Sequence, residues 1–352
     1  MELITSNIDT SVSSLHDAIR RNDVDEVQLL LANGADVHSV DEKNWTALHT
    51  AILMNQPEIV KILISHGSDL EKQTDDQCTP LHLAAMLGNI EIAKILLQNS
   101  ANINAKGEYG RSPLIAAIKD DKIEMAKFLI ENNADLEART IEQKTPLMAC
   151  AIKNLLELGH HLIKYKANLE SSCEDGAKAL HYAIACNQKQ FVILLLENGA
   201  KIDSRITSRN ETALHVAVDH RNLDICKVLV YQGANVNARN KNQFTPLHTA
   251  IEGLASICPE KEKLHEKIAS LLISNGASID TPFPRKFAFY DPTTPIIRAT
   301  LRRKYSILKL MLQYHPSNGG QSRHQGKSPL EFTLEKKHMD TAKFIIYFNG
   351  IS

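Results

Sequence analysis

Histidine is the residue type with the greatest chemical potential in this chain, and it recurs at an almost constant spacing. A neutral imidazole can act as a general base or bind a metal ion. Six histidines that directly follow a leucine, His16, His49, His82, His181, His215 and His248, are separated by 33 or 34 residues or by a multiple of 33. A residue that returns at the same place in successive copies of a repeat indicates a structural role. We therefore expect these histidines to be neither catalytic bases nor metal ligands.

Three other segments contain residues that bind metals or phosphates elsewhere, but none has the required spacing. Cys150, His160 and His161 lack a fourth ligand at a suitable distance along the chain. The run His265–Ala269 begins like a zinc-protease helix but ends in alanine where the second histidine is needed. The glycine pair of Gly320–Gly326 encloses five residues, whereas a phosphate-binding loop has four. We predict no enzyme activity, no metal site and no cofactor.

These residues lie on copies of one segment that is repeated along almost the whole chain. Each copy has a marker residue at the same place, and the markers are Leu15, Leu48, Leu81, Leu114, Leu147, Leu180, Leu214, Leu247, Ile296 and Leu330. Six of the intervals between markers are 33 residues and two are 34, while the interval from Leu247 to Ile296 is 49. A period of this length is typical of repeat proteins, in which each copy forms the same small motif.

Each copy carries the signals of two short helices. In the third copy, Thr79 is a suitable N-cap, and Pro80 suits the first helical position, where no amide donor is needed. The run from Ile90 to Leu97 has apolar residues at helical spacing, which gives a second helix one apolar face. Glycine suits the left-handed C-cap that ends this helix. A single copy cannot bury its apolar face, so the core must form between neighbouring copies.

The segments Thr79–Ala84 and Gly233–Val236, taken with the period of 33, resemble the ankyrin repeat. The resemblance covers about residues 14–350 and implies an all-α repeat solenoid of helix-turn-helix units joined by β-hairpin loops. It also implies that the recurrent histidines tie hairpins to first helices by hydrogen bonds. We predict a disordered leader at 1–13 and one elongated domain of about ten repeats, at 14–43, 44–76, 77–109, 110–142, 143–175, 176–209, 210–242, 243–291 with an insertion, 292–325 and 326–350.

The fifth repeat departs from the pattern in its second helix. Gly159 stands where the third repeat has Ala93, and His161 stands where it has the apolar Ile95. A glycine inside a helix costs about 1 kcal/mol relative to alanine, and a buried histidine needs a polar partner. We predict that this repeat is the least stable. Its irregular residues indicate either degeneration of a surface that binds no partner or a functional hinge.

Two irregular segments follow in the eighth repeat. An insertion of ten residues falls within 252–266, and its charged section at 259–263 is compatible with the start of a longer second helix. Residues 281–292 then form a proline-rich loop with four aromatic and two basic residues. Long ordered loops are often functional. The alternative is that the aromatic side chains fill a gap opened by the insertion.

The resemblance implies that partners bind along a concave face, made of hairpin tips and the exposed sides of first helices. The corresponding positions lie three, five and six residues before each marker and five and six residues after it. The predicted partner-binding residues are Trp45, Leu53, Met54, Met86, Leu87, Tyr109 and Arg111 in repeats two to four, with Phe287, Phe289 and Tyr290 in the loop. The alternative is that these side chains only cover one another. The apolar last helix, at 341–348, is a further candidate contact surface.

Composition narrows the functional classes. The net charge is −1, from 40 basic and 41 acidic residues, which gives no reason to expect nucleic-acid binding. No apolar run approaches the length of a membrane-spanning helix, so we predict no membrane insertion. The six cysteines show no paired spacing, which favours a reducing, cytoplasmic location, with the nucleus as the alternative.

The predicted function is that of a scaffold or adaptor whose concave groove binds a peptide or helix of a protein partner. One alternative is the substrate-recognition subunit of a ubiquitin ligase, for which we find no SOCS-type or F-box-type segment. Another is a secreted, host-directed effector or toxin, for which we find neither a secretion signal nor a pore-forming region. The ankyrin resemblance bears on function only by analogy.

Overall fold

The computed structural model describes residues 14–41, 44–253, 259–281, 294–314, 328–335 and 338–349. These residues form twenty α-helices in ten consecutive pairs. In chain order the helices are α1 Leu15–Arg20, α2 Val24–Ala32, α3 Ala47–Leu53, α4 Pro57–Ser65, α5 Pro80–Leu87, α6 Ile90–Gln98, α7 Pro113–Lys119, α8 Ile123–Glu131, α9 Pro146–Lys153, α10 Leu156–Lys164, α11 Ala179–Ala185, α12 Lys189–Glu197, α13 Ala213–Asp219, α14 Leu223–Tyr231, α15 Pro246–Gly253, α16 Pro259–Ser274, α17 Pro295–Leu301, α18 Tyr305–Tyr314, α19 Pro329–Glu335 and α20 Met339–Asn349. Odd-numbered helices are the first helices of the repeats, and even-numbered helices are the second.

The helices belong to two compact units. The first unit lies within 1–150 and 157–168, and the second within 151–156 and 169–352. The boundary between the two units therefore falls inside the fifth repeat, which the sequence predicts to be the least stable.

First helices begin as the sequence predicts. Before α5, the Thr79 hydroxyl accepts a hydrogen bond from the backbone N–H of His82 at 3.4 Å, and Pro80 is the first helical residue. Ser112 caps α7 through Ile115 in the same way, at 3.4 Å. These caps satisfy a backbone donor that would otherwise be unpaired at the start of the helix.

The core of each unit forms between neighbouring helix pairs. The residue three places after the marker has no exposed surface in the first eight repeats, at Ala18, Ala51, Ala84, Ala117, Cys150, Ala183, Ala217 and Ala250. In the second helix of repeat three, Ile92 and Leu96 are also fully buried. Cys150 therefore occupies a packing position of the repeat, where a small side chain allows helices to approach closely.

Hairpins connect one helix pair to the next. In the second unit β1 (Arg205–Ile206) pairs with β2 (Glu211–Thr212) in an antiparallel ladder, and single bridges join Val40 to Thr46 and Ser172 to Lys178. At Gly176 the backbone φ is 83°, and an added Cβ would lie 1.9 Å from the Thr207 hydroxyl oxygen. Only glycine fits that tip without a rearrangement.

The turn after the second helix adopts a left-handed conformation in eight repeats, but it does not always use glycine. Glycine occupies it at Gly34, Gly67, Gly199, Gly233 and Gly276, while Ser100, Asn133 and Lys166 take the same conformation with a side chain. The prediction of a glycine C-cap thus holds for the conformation of this turn but not for the residue in every repeat.

Replacing Lys166 with glycine is expected to raise the free energy of unfolding of the first unit by about 1 kcal/mol. Lys166 has a φ of 68°, and the left-handed conformation costs a residue with a Cβ about 1–2 kcal/mol. Urea denaturation followed by circular dichroism measures the change. The matched control is Lys164→Gly in the last turn of α10, which should lose about 1 kcal/mol instead. Shifts of the same sign in both variants would contradict this explanation.

The two irregular residues of the fifth repeat both lie in its second helix. Gly159 lies inside α10 and is buried, as predicted. His161 is half-buried, with its Nε2 3.5 Å from Glu131 Oε1 and its ring 4.9 Å from that of Tyr165. The His161 side chain is only 15% exposed, and its Nε2 is buried without a hydrogen bond among the residues that the structure describes. The lower stability of this repeat stays a prediction.

The insertion in the eighth repeat lengthens the second helix. Its charged section forms the start of α16, which has 16 residues, whereas α14 before it has nine. This outcome confirms the interpretation of 259–263 as the beginning of a longer helix. The aromatic loop with Phe287, Phe289 and Tyr290 lies outside the described residues.

An ionic network joins the eighth repeat to the ninth. The Glu252 carboxylate accepts hydrogen bonds from Arg298 Nε and Arg302 Nη2, each at 2.7 Å. Arg302 Nη1 also donates to the backbone carbonyls of Ile251 at 2.9 Å and Glu252 at 2.8 Å. The guanidinium of Arg302 therefore satisfies carbonyl groups near the end of α15, where intrahelical donors are absent.

Candidate functional site

The recurrent histidines are fully occupied by structural hydrogen bonds. His49 Nδ1 accepts from the Thr46 backbone N–H at 3.3 Å, so its proton resides on Nε2, which donates to the Cys78 carbonyl at 3.3 Å. His82 repeats this pattern, with its Nε2 2.9 Å from the Arg111 carbonyl. The corresponding Nε2 contacts of the second unit are His181 to Ser204, His215 to Phe244 and His248 to Thr281, at 3.1, 2.9 and 2.9 Å. Each histidine thus links its own repeat to the next hairpin.

Burial keeps these imidazoles neutral. It lowers the pKa of His49, His181 and His248 to about 4 each, in spite of the hydrogen bonds to carbonyl oxygens that favour the charged form. A base of such low pKa, with both ring nitrogens engaged, is poorly suited to proton transfer from a substrate. The sequence-based assignment of a structural role agrees with this geometry.

The thiols of Cys78 and Cys226 are not activated either. Burial, followed by the nearby charges of Asp76 and Glu108, raises the pKa of the Cys78 thiol. Burial also raises the pKa of Cys226 to about 12. A reactive cysteine needs the opposite shift. Within the part of the chain that the structure describes, no group of three histidine, cysteine or acidic residues is arranged to hold a metal ion.

The hairpin between the first two repeats positions the only tryptophan. The Asp41 backbone N–H donates to the Trp45 carbonyl at 2.9 Å, and the Trp45 N–H donates to Asp41 Oδ1 at 3.0 Å. Asn44, at the tip, has a φ of 57°. The Trp45 ring is half-buried and tilted against that of His49, with the centroids 6.0 Å apart. Two backbone-anchored hydrogen bonds therefore fix the base of this side chain.

Trp45 forms one wall of a groove of about 610 Å³ in the first unit. The residues that line this Trp45 groove are Arg20, Val40, Asp41, Trp45, Thr50, Leu53 and Met54. Leu53 and Met54 are each 44% exposed, and Val40 is 46% exposed. The structure thus brings together three of the predicted partner-binding residues, Trp45, Leu53 and Met54, around one open, largely apolar space.

An ion pair borders this apolar surface. Arg20 Nη2 lies 3.7 Å from Asp41 Oδ2, while Arg20 Nη1 lies 3.1 Å from Asp17. Such exposed pairs add little stability by themselves. Beside an apolar wall, however, they offer one cation and one anion to a ligand. The groove can therefore accept an apolar side chain that is flanked by a polar or charged group.

A smaller cleft lies between the third and fourth repeats of the same unit. Its volume is about 30 Å³, and its lining includes the predicted residues Met86 and Arg111 together with Glu108 and Lys119. The Arg111 guanidinium lies 4.7 Å from the centre of the Tyr109 ring, a cation–π geometry, and 3.5 Å from the Glu108 carboxylate. Leu87 is half-buried, beyond the residues that line either space. Four charged residues line this cleft, whereas two line the Trp45 groove.

Sequence analysis missed four residues of the Trp45 groove, Arg20, Val40, Asp41 and Thr50. Arg20 lies five places after the marker Leu15, so the rule used for later repeats, applied to the first repeat, identifies it. Val40 and Asp41 lie seven and eight places before Leu48, outside the offsets of that rule. They enter the groove because the hairpin folds back and pairs Val40 with Thr46.

The last described helix has a strongly exposed edge. In α20, Ala342 and Ile345 are buried, whereas Tyr347 is 87% exposed and Met339 is 52% exposed. Its role as a contact surface stays a prediction. Among the described helices, none combines the length and the apolar character needed to cross a membrane.

Comparison with known proteins gives a consistent result. The family profile described as ankyrin repeats (three copies) matches residues 15–107, 71–140, 138–206 and 205–283. An ankyrin repeat protein of fowlpox virus (strain NVSL) is 34% identical over 140 residues, which are 40% of this chain and 38% of the viral protein. The B-cell lymphoma 3 protein homolog of Mus musculus is 37% identical over 76 residues, which are 22% of this chain and 17% of the mouse protein. The matches thus span well under half of these relatives' own length.

A solved structure is also similar. The crystal structure of the ankyrin repeat domain of Bcl-3, described as a member of the IkappaB protein family, superposes with a TM-score of 0.57 and 25% sequence identity. The match covers 62% of this chain and 99% of that domain. Together with the paired helices and hairpins, these similarities confirm the predicted all-α repeat architecture.

Proposed function

Because the chain belongs to the ankyrin-repeat family, we propose that it is a non-catalytic scaffold or adaptor that binds a protein partner in the Trp45 groove. Ankyrin repeats generally mediate interactions between proteins. The observation that carries the proposal is the convergence of Trp45, Leu53 and Met54 on one open groove. Such aromatic and methionine side chains are frequent binding hot spots.

The shape and chemistry of the groove favour a peptide or helix as the bound segment. A volume of about 610 Å³ lies within the range of about 300–1,000 Å³ that is typical of pockets for small ligands. It therefore has room for an anchoring side chain and the backbone on either side. The Arg20–Asp41 pair at its edge would orient that backbone or select a polar neighbour of the anchor. This is the pattern of a helix or extended peptide that inserts apolar anchors into a groove.

The contact would continue along the same unit. Met86, Leu87, Tyr109 and Arg111 extend the proposed surface into the third and fourth repeats. We propose in addition that residues 14–350 form one ten-repeat solenoid, preceded by a disordered leader. The aromatic loop and the apolar last helix are candidates for secondary contacts.

The viral relative favours one second candidate function. Its similarity supports a host-directed effector, in which the same groove would bind a protein of the host. The two candidates differ in where the partner originates. If the partner captured by the Trp45 groove is encoded by another organism, the effector is favoured. A partner from the same organism favours the adaptor.

The proposal is tested by combining partner capture with groove variants. The double variant Trp45→Ala, Met54→Ala is expected to weaken binding of a captured partner at least about tenfold, which corresponds to about 1.4 kcal/mol. Capture from a native lysate identifies the partner, and isothermal calorimetry with the purified proteins measures the affinity.

The matched control is Leu29→Ala, because Leu29 is 61% exposed on α2 and lies outside the groove. Its affinity should equal that of the unmodified chain, and circular dichroism must show that all variants are folded. If the groove variant binds as tightly as the control, the groove is not the contact site.

A further inference from the structure

A second groove lies in the second unit, between the neighbouring second helices α14 and α16. Its volume is about 710 Å³. We name it the Tyr231 groove, and its principal residues are Leu223, Lys227 and Tyr231 on α14 and Lys263, Lys267 and Leu271 on α16. Residues 223, 227 and 231 are spaced by four and form one ridge of α14, which faces the corresponding ridge of α16.

The floor and one rim of this groove are apolar. Leu223 and Leu271 are half-buried and leave part of their side chains open to the groove. Tyr231 is 73% exposed at the end of α14. A tyrosine that is exposed to this extent beside two leucines provides contact area with little loss of conformational entropy on binding.

Two acidic residues of α16 are bonded to the ninth repeat. Glu262 pairs with Lys304, and the Glu266 carboxylate accepts a hydrogen bond from the Ser306 hydroxyl. Glu266 also lines the Tyr231 groove. The partners of both acidic side chains, Lys304 and Ser306, lie at the start of α18. Glu262 and Glu266 are therefore already bonded, whereas the lysines of α16 extend into the groove.

Neither groove lysine of α16 has an ion-pair partner among the residues that the structure describes. Lys263 and Lys267 are exposed and lie four positions apart, so their charges repel each other. Lys227 completes the basic rim and lies 3.5 Å from the exposed carboxylate of Asp224. The lysines of the groove outnumber its one carboxylate, Glu266, by three to one, so the groove carries a net positive charge next to an apolar floor.

The insertion explains why a lysine stands at this position of the second helix in the eighth repeat. The residue ten places after the marker is acidic in six earlier repeats, at Asp25, Glu58, Glu91, Glu124, Glu157 and Asp224. An acid in the first turn interacts favourably with the helix dipole. In repeat eight the helix starts earlier, and Glu260 and Glu262 supply the acids of the first turn. The equivalent of the usual acid then lies in the middle of the helix, and it is Lys267.

We propose that the Tyr231 groove docks an acidic segment of a partner protein. An apolar side chain of that segment would pack against Leu223, Leu271 and Tyr231, and its carboxylates would pair with Lys263 and Lys267. The ridge from 223 to 231 is about 12 Å long at 1.5 Å per residue, which matches about two turns of a bound helix. A nucleic acid fits less well, because half of the named residues offer apolar contact and no arginine lines the groove.

The test uses the full chain and a fluorescein-labelled acidic peptide of about 12 residues, enough for three helical turns. The peptide places leucines four positions apart among glutamates, and fluorescence anisotropy measures its binding. The double variant Lys263→Glu, Lys267→Glu should bind at least about tenfold more weakly than the unmodified chain, because repulsion replaces attraction. A peptide with lysines in place of the glutamates should restore binding to that variant.

The matched control is Lys61→Glu, Lys94→Glu, which changes the net charge equally on exposed second-helix positions of the first unit. It should change the affinity for the peptide by less than about twofold, because salt screens charges that lie far from the groove. The proposal would be overturned if the peptide did not bind at about 1 mM, which corresponds to about −4 kcal/mol. Equal weakening of peptide binding by the control variant would also overturn it. So would tighter binding of labelled oligothymidine than of the peptide, with the same dependence on Lys263 and Lys267.

Discussion

Replacing Glu252 with alanine is expected to lower the free energy of unfolding of the second unit by about 3 kcal/mol. The substitution leaves Arg298 and Arg302, whose side chains are only 10% and 20% exposed, without their carboxylate partner. Removing one member of a buried ion pair costs about 3–5 kcal/mol. We expect the lower end of this range, because the Glu252 side chain keeps 31% of its surface exposed. Urea denaturation measures the loss.

The control for this prediction is the exposed pair of Asp224 and Lys227. These side chains are 70% and 46% exposed, so Asp224→Ala should cost less than about 1 kcal/mol. Amide hydrogen exchange should show faster opening of α15 and α17 in Glu252→Ala and little change there in Asp224→Ala. Equal losses in the two variants would mean that the network adds no more stability than a surface pair.

Lowering the pH from 7 to 5 is expected to reduce the free energy of unfolding by about 2 kcal/mol for each of His49, His181 and His248. Burial lowers the pKa of each from 6.5 to about 4 in the folded chain. Between these values the unfolded state binds more protons than the folded state, so stability rises with pH. The full contribution is present above about pH 6.5 and is lost as the pH falls towards 4. The second unit, with two of these residues, should lose about 4 kcal/mol.

The chain itself provides a substitute for testing this effect. In the fifth repeat Met148 occupies the histidine position, and its sulfur accepts the Thr145 backbone N–H at 3.5 Å. His181→Met should therefore keep the fold and remove about 2 kcal/mol of the difference between pH 7 and pH 5. Urea denaturation at both pH values gives the difference. His160→Met, at an exposed histidine, should leave it unchanged. An unaltered pH dependence in His181→Met would show that burial does not hold that imidazole neutral.

The helices could be predicted from the sequence because their signals are local. The Thr79 cap, the proline of α5 and the apolar face of α6 all act within one repeat, and a period of 33 fixes where the next copy begins. The left-handed turn was also predictable at each repeat, but its tolerance of Lys166 was not. An exposed turn can adopt the left-handed conformation with a residue that has a Cβ, at a loss of about 1–2 kcal/mol of stability. No sequence rule states in which repeat this loss is tolerated.

The candidate sites could be predicted only in part, because they require residues from different repeats. A fixed offset identified Trp45, Leu53 and Met54, since these positions return in every copy. Asp41 was missed because the hairpin geometry, not the period, brings it to the groove. The Tyr231 groove was missed for a similar reason. The acids of α16 are bonded to Lys304 and Ser306, which lie 42 residues from Glu262 and 40 residues from Glu266.

The forward direction of the histidine hydrogen bonds has a consequence for synthesis of the chain. His82 and His215 each donate to a carbonyl 29 residues later, and His248 to one 33 residues later. During synthesis, the hydrogen bonds of each of these imidazoles can be completed as soon as the following hairpin has been made. Closing loops of this length is fast and carries a modest entropy cost. The hydrogen bonds that link these repeats can therefore form one after another, from the N-terminus onward, before synthesis of the chain is complete.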